Sequence, residues 1–265
     1  MSTKEYLRDL GVAEIPPRTS PFDPGYDANT LAEHLRQSSH LMSGMKISMA
    51  CWQIANEQVT REKIAACKSY GVKTSAGGGP LELAAYFDKL EQYLDLCADI
   101  GLDRIEAGEG FIHNRLKPRT LVAMSEDRGL EVQFELGEKH AGSFDQHTVD
   151  ALLRQGDDWL EAGAKQLVIE ARESALGVGL FDDKGQLNEA LARQFMDHFG
   201  DERAVFEAPI KRSQFALIDF FGQRVHLGNV RLEELLRVEI YRRGLHSDAF
   251  RRENLRPSGT RLGDT

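Results

Sequence analysis

A single (β/α)₈ barrel is the fold class this sequence predicts, and three observations predict it. Short apolar runs and amphipathic stretches alternate about eight times without an obvious linker. The turn before several of the apolar runs reads alike: "SYGVK" at 69–73, "DIGLDRI" at 99–105, "DRGLEV" at 127–132 and "EAGAKQL" at 161–167. In each, a glycine follows the amphipathic stretch, supplies a left-handed helix cap and leads into an extended run. Eight such units in about 250 residues suit a closed barrel. An open doubly wound sheet is the alternative.

Taken in order, the first extended run is Arg18–Asp23, weakened by Pro21, which cannot donate to a ladder. A helix over Asn29–His40 carries Leu31 and Leu35 at helical spacing, and a strand follows at Met45–Met49. Thr60–Tyr70 is a helix with Thr60 as its N-cap, followed by a strand at Val72–Ser75. Leu81–Ile100 is expected as one long helix with Leu83, Tyr86, Phe87, Leu90, Tyr93 and Leu94 on one side. Strands at Arg104–Ala107, Val132–Leu136, Gln166–Ala171, Ala204–Ala208 and Arg224–Leu227 then alternate with helices at Pro118–Arg128, His147–Ala162, Asn188–Phe199, Lys211–Phe221 and Leu232–Arg242. The expected division is an extension at 1–16, the barrel at 17–255 and a tail at 256–265.

The net charge of −9 argues against a nucleic-acid binder, which needs a basic face. It leaves room for a small anionic substrate, because a pocket can be locally basic. Cys51, Cys67 and Cys97 have no metal-like spacing, and their odd number fits a reducing compartment. No segment has an apolar signal core or reaches the roughly 18 apolar residues of a membrane span. The expectation is a cytoplasmic, soluble protein without a membrane partner. The sequence leaves a homo-oligomer open.

Functional side chains of such barrels stand at the C-terminal ends of the strands. Four runs end in a carboxylate there: Glu106 in "RIEAGEG", Glu135 in "VQFELGEKH", Glu170 in "LVIEARES" and Glu207 in "AVFEAP". Any one of them can cap a helix or pair with an arginine. Four from different strands repel one another unless a cation lies among them. With no His/Cys cluster nearby, the expected ion is a hard one, most simply Mg²⁺. Lys139 follows Glu135 by four residues, Arg172 sits beside Glu170, and Lys46 lies inside a strand, where it must point into the barrel or out at its rim. These cations either neutralise the carboxylates or bind an anionic substrate, with Lys139 also able to supply a proton. Gly77 and Gly78 in "SAGGGP", and Gly228 and Asn229 in "HLGNV", follow candidate strands where backbone N–H groups approach an anion, although a tight turn needs glycine too. His226 and His246 are either pH-responsive groups at the site or structural histidines.

These residues together resemble the phosphosulfolactate synthase family from about Asp23 to Phe250. The resemblance rests on "AGGGPLELAAYFDKLEQYLDLCADIGLDRIEAGEG", "ELGEKH", "LVIEARESALGVGLFDDKG", "VFEAPIKRSQFALIDFFG", "HLGNV" and "VEIYRRGLHSDAF". It implies a (β/α)₈ barrel and a magnesium-dependent addition of sulfite to phosphoenolpyruvate. Sulfite attacks C3, negative charge builds on the substrate carboxylate, and a lysine protonates C2; Lys139 lies in the matching segment. Arg172, Lys46 and the glycine turns would hold the anionic groups. The chain departs from the family pattern where anions are expected. It has Asp23-Pro24-Gly25 for Asp-Lys-Gly, "ISMACW" after Lys46 for a Gly-Trp-Gly-Thr loop, Glu138 for a lysine, and His226 for an asparagine. His246-Ser247-Asp248-Ala249 stands for Arg-Gly-Asp-Thr. A relative using another nucleophile or enol acid, and a non-catalytic barrel in protein interaction or stress response, are the alternatives.

Overall fold

A computed structural model describes residues 1–47, 50–110, 112, 116–138, 140–250 and 252–257. Eight parallel strands close into a barrel in sequence order: β1 Thr19–Asp23, β2 Met45–Ile47, β3 Thr74–Ala76, β4 Arg104–Gly108, β5 Glu131–Leu136, β6 Gln166–Ile169, β7 Ala204–Glu207 and β8 His226–Arg231. The helices are α1 Thr3–Asp9, α2 Ala28–Ser38, α3 Cys51–Ile54, α4 Glu57–Ser69, α5 Gly78–Tyr86, α6 Leu90–Asp99, α7 Pro118–Glu126, α8 Gln146–Ala162, α9 Glu189–Phe199, α10 Lys211–Phe221 and α11 Leu235–Arg242. Among the described residues no helix is long and apolar enough to cross a membrane.

Local chemistry sets the helix ends. Asp27, Asn56, Asp145 and Asn188 cap α2, α4, α8 and α9 by accepting backbone N–H groups. Gly163 ends α8 in the left-handed conformation, as its turn predicts. Outside the barrel, Trp159 of α8 stacks on Phe134 of β5 at 4.1 Å between ring centres. Gly156 lets α8 approach α9, because a Cβ there would come within 2.4 Å of Phe199 Cζ.

Several expected elements are corrected, but the strand expected at Arg18–Asp23 forms despite Pro21, over Thr19–Asp23, and closes the barrel. Its pairing with β8 shifts by one residue between Thr19 and Pro21, and Asn229 of β8 takes up the extra residue at φ 51°. Leu81–Ile100 is two helices, broken by Asp88 at φ 54°. Only the second half buries its stripe, with Tyr93, Leu94 and Cys97 inside, whereas Leu83, Tyr86 and Phe87 are exposed. The fourth helix starts at Glu57 on Asn56 rather than at Thr60, which is buried within it. The last strand begins at His226 and runs on, so Gly228 and Asn229 lie inside a strand instead of a turn after it.

The floor of the barrel, at the N-terminal ends of the strands, is a densely hydrogen-bonded polar cluster. Arg242 is fully buried and donates to the carbonyls of Gln223 (2.8 Å), Val225 (2.7 Å) and Arg18 (3.3 Å), to Thr19 Oγ1 (3.1 Å) and to Glu239 (3.2 Å). Thr19 in turn donates to Glu239 at 2.6 Å. Polar pairing at this end serves stability.

Candidate active site

Strands buried on both faces ordinarily read as continuous apolar runs. Here polar residues recur two apart, as Arg104 and Glu106 in β4 and Gln133 and Glu135 in β5, and residues two apart face the same side. They face inward. Lys46 Nζ of β2 lies 2.8 Å from both carboxylate oxygens of Glu106 across the barrel. Gln133 Nε2 donates to Glu106 at 2.8 Å, and the N–H of Gly78 at the start of α5 donates to it at 3.2 Å. Glu106 is thus held by three groups and serves as the anchor of Lys46. Gly78 gives its N–H to protein, and Gly77 is the N-cap of that helix, with no side chain to cap it.

The other three carboxylates gather above. Glu135, Glu170 and Glu207 are all buried. Glu207 accepts the N–H of Ala171 at 2.9 Å and the amide of Asn229. Glu170 accepts the N–H of Arg172 at 2.5 Å. Burial, and then the neighbouring Glu170, Glu135 and Glu106, hold the Glu207 carboxyl well above the ordinary range, with Lys46 opposing them in part. The lysine feels the same field from its own side. Burial works against its charge, yet Glu106, Glu207 and Glu135 raise its affinity for the proton.

Backbone strain collects at this rim. Arg172 (φ 56°), Ala175 (φ 49°) and Asn229 (φ 51°) adopt left-handed conformations without being glycine. The loop after β6 is laced to the loop after β5: Phe144 N–H donates to Gly179 O at 2.7 Å and Ser143 Oγ to Phe181 O at 2.7 Å. Gly179 packs against the Glu170 carbonyl, where a Cβ would sit 2.0 Å from the oxygen. This lacing holds Glu170 and leaves the Arg172 side chain exposed at the rim. Lys139 lies outside the described residues.

Sequence reasoning missed two members of the site. Gln133 is described above. Glu82 of α5 is fully buried and accepts the N–H of Ile112 at 3.2 Å. Its Oε1 and that of Glu135 flank Gly108, at 3.6 and 3.5 Å from where a Cβ would stand. Polar alternation in a buried strand signalled Gln133. Nothing local signalled Glu82, which α5 brings against Gly108 of β4.

Two predicted site residues are elsewhere. His226 opens β8 on the floor, between Ser43 Oγ at 2.7 Å and Gln166 Nε2 at 3.3 Å. Burial, with Arg18, Arg242 and Arg104 nearby, lowers its pKa to about 3, so it is a neutral structural histidine. His246 caps a short turn after α11 by accepting Asp248 N–H at 3.1 Å, and rests edge-on against Phe215 and Tyr241 outside the barrel.

Among the described residues no three His, Cys, Asp or Glu side chains are arranged to hold a metal ion by themselves. The donor chemistry nevertheless fits a hard cation: buried carboxylates converge, and their mutual repulsion is visible in Glu207.

The model of the (2R)-phospho-3-sulfolactate synthase (ComA) family matches residues 13–248. The chain is 30% identical over 233 residues to phosphosulfolactate synthase of Methanocaldococcus jannaschii, covering 88% of this chain and 93% of that one. It is 28% identical over 238 residues to the phosphosulfolactate synthase of Methanothermobacter thermautotrophicus (89% and 92% covered). With that of Bacillus subtilis it shares 25% over 247 residues (89% and 97%). Solved structures share the fold alone. A putative fructose-1,6-biphosphate aldolase from Coccidioides immitis has a TM-score of 0.52 at 17% identity, covering 93% of this chain and 96% of its own. KGPDC from Streptococcus mutans has a TM-score of 0.53 at 12% identity, covering 89% and 98%. With the barrel, its acidic mouth and a family match over most of its length, the chain belongs to the phosphosulfolactate synthase family and is an enzyme of that lyase type.

Proposed function

We propose that the enzyme catalyses a Mg²⁺-dependent addition of sulfite to phosphoenolpyruvate, in the cytoplasm. The observation that supports this reading is the convergence of the buried Glu135, Glu170 and Glu207 carboxylates, with Glu207 accepting Ala171 N–H and the Asn229 amide and held well above the ordinary carboxylate range by burial and its acidic neighbours. Glu135, Glu170 and Glu207 are the residues for the metal, with substrate oxygens and water completing its shell. Bound there, Mg²⁺ supplies charge stabilisation as the substrate carboxylate gains negative charge.

The chain's own residues do the rest. Lys46, anchored on Glu106, presents a fixed positive charge to an anionic substrate. Arg172, exposed at the rim beside Glu170, adds a second. The closed barrel below keeps bulk water from the reacting carbons. As sulfite bonds to C3, Lys139 gives a proton to C2. Arginine holds its proton too tightly for that role. Lys139→Arg is therefore expected to keep much of the binding and lose roughly 10²–10⁴-fold in kcat. An unchanged kcat removes Lys139 as the donor.

The direct test incubates the protein with phosphoenolpyruvate, sulfite and Mg²⁺ and follows phosphosulfolactate by mass. Absence of product, with phosphoenolpyruvate still bound in calorimetry, points to the second reading, a different nucleophile. Pro24 favours that reading, because it stands where the family pattern has a lysine and supplies no charge. His246 does not compensate from its place outside the barrel.

A further inference from the structure

The polar interior has a direction, and Arg104 imposes it. Its Nη1 donates to Gln133 Oε1 at 3.2 Å and to Gln166 Oε1 at 3.1 Å. A guanidinium has donors only. Both glutamine amides must therefore turn their oxygens to Arg104 and their NH₂ groups away. The Gln133 NH₂ then meets Glu106 at 2.8 Å, on the mouth side. The Gln166 NH₂ meets His226 Nδ1 at 3.3 Å, on the floor side. That makes Nδ1 an acceptor and leaves the ring proton on Nε2, facing Ser43 Oγ at 2.7 Å. One arginine thus sets the orientation of hydrogen bonds from the floor to the mouth, where the chain ends on the Lys46 ammonium.

We infer that Gln133 is a positioning residue: locked by Arg104, it aims its NH₂ at Glu106, and the carboxylate so fixed holds Lys46 at one place in the mouth. Without that donor, Glu106 keeps only Lys46 and the Gly78 N–H and is free to swing with the lysine. This deepens the proposed function by naming what orients one of its anion-binding groups, and it rests on the mouth being the site.

Gln133→Glu is the discriminating variant. It keeps an acceptor for Arg104, strengthened by charge, but offers Glu106 a second carboxylate in place of a donor. If Gln133 mattered only for packing or for Arg104, this change would be silent or stabilising. Gln133→Met removes both contacts at similar volume, and Gln166→Met is the control, cutting the floor side while leaving the link to Glu106 intact.

The readout is the Lys46 Nζ resonance in isotope-labelled protein, assigned by its loss in Lys46→Arg. A pinned, water-shielded ammonium gives its own slowly exchanging line. That line is expected to disappear or shift in Gln133→Glu and Gln133→Met, and to persist in Gln166→Met. A line unchanged in Gln133→Glu overturns the inference. So does an equal loss in Gln166→Met, which would mean general loosening. The measurement needs no substrate, so failure of the sulfite reaction leaves it decisive. If phosphoenolpyruvate and sulfite do react, Gln133→Glu is expected to raise KM for phosphoenolpyruvate about tenfold or more, the size of one charged hydrogen bond, with a smaller change in kcat.

Discussion

The two ends of this barrel hold buried charge in opposite ways. On the floor, Arg242 spends its donors on three carbonyls, a hydroxyl and Glu239, and His226 is kept neutral between a hydroxyl and an amide. At the mouth, the buried carboxylates of Glu135, Glu170 and Glu207 converge, and burial with its acidic neighbours holds the Glu207 carboxyl well above the ordinary range. Left-handed non-glycine residues gather at the mouth as well, at Arg172, Ala175 and Asn229. Buried polar groups paired as Arg242 is stabilise a fold, whereas converging like charges cost stability and persist where binding needs them. The difference marks the mouth as the working end without reference to any relative.

The largest effect expected from this contrast is on the floor. Arg242→Met leaves Glu239 and three carbonyls short of donors in a buried setting. It should cost about 3–5 kcal/mol, read as a fall of roughly 6–20 °C in Tm. A shift under about 2 °C would show that the floor is not the stabilising end.

The pH dependence of stability sharpens the comparison, because the two ends have opposite signs. His226 has a folded pKa of about 3, below the ordinary imidazole value of about 6.5. The unfolded chain therefore binds the extra proton between those values. The stability His226 contributes is full above about pH 6.5 and lost as pH falls towards 3, an effect on the order of a few kcal/mol. His226→Gln should flatten that acid limb in denaturant titrations.

Glu207 runs the other way. Its folded pKa is raised, so its contribution is full below the ordinary carboxylate value of about 4.5 and is lost as pH climbs above it. Glu207→Gln should flatten this loss and leave Tm at pH 7 unchanged or higher, while weakening Mg²⁺ binding in calorimetry. A Tm several degrees lower would mean that Glu207 is structural and that the mouth resembles the floor. Added Mg²⁺ should stabilise the wild type by mass action and the variant less.

The smallest effect belongs to His246. His246→Gln removes one cap at the surface, so it should cost less than about 1 kcal/mol and leave substrate affinity unaltered from roughly pH 5.5 to 8. A change in affinity would place the histidine in the anion site after all.

Much of this was readable in the chain. Alternation of apolar runs with amphipathic stretches, and glycine caps such as Gly163, foretold strands, helices and barrel closure, because period and capping are local properties. Glu106, Glu135, Glu170 and Glu207 were recognisable as lying towards one end, because parallel strands that finish in charge deliver it to the same end of the barrel.

Tertiary structure alone decided the rest. Pro21 reads as a strand breaker, yet β1 forms, because closure supplies neighbours on both sides and the irregular pairing with β8 absorbs the misfit. Asp88 breaks a helix that the apolar spacing would have continued, because the barrel needs α6 to turn Tyr93 and Leu94 inward. His226 sits in a glycine-containing stretch that reads as a mouth loop, yet register places it on the floor. Nothing near Glu106 in the chain announces its partner Lys46, sixty residues earlier, which meets it inside the barrel. Local sequence determines what each segment is and which face it offers. Which distant charge stands opposite depends on strand register and barrel shear, and these exist only once the sheet has closed.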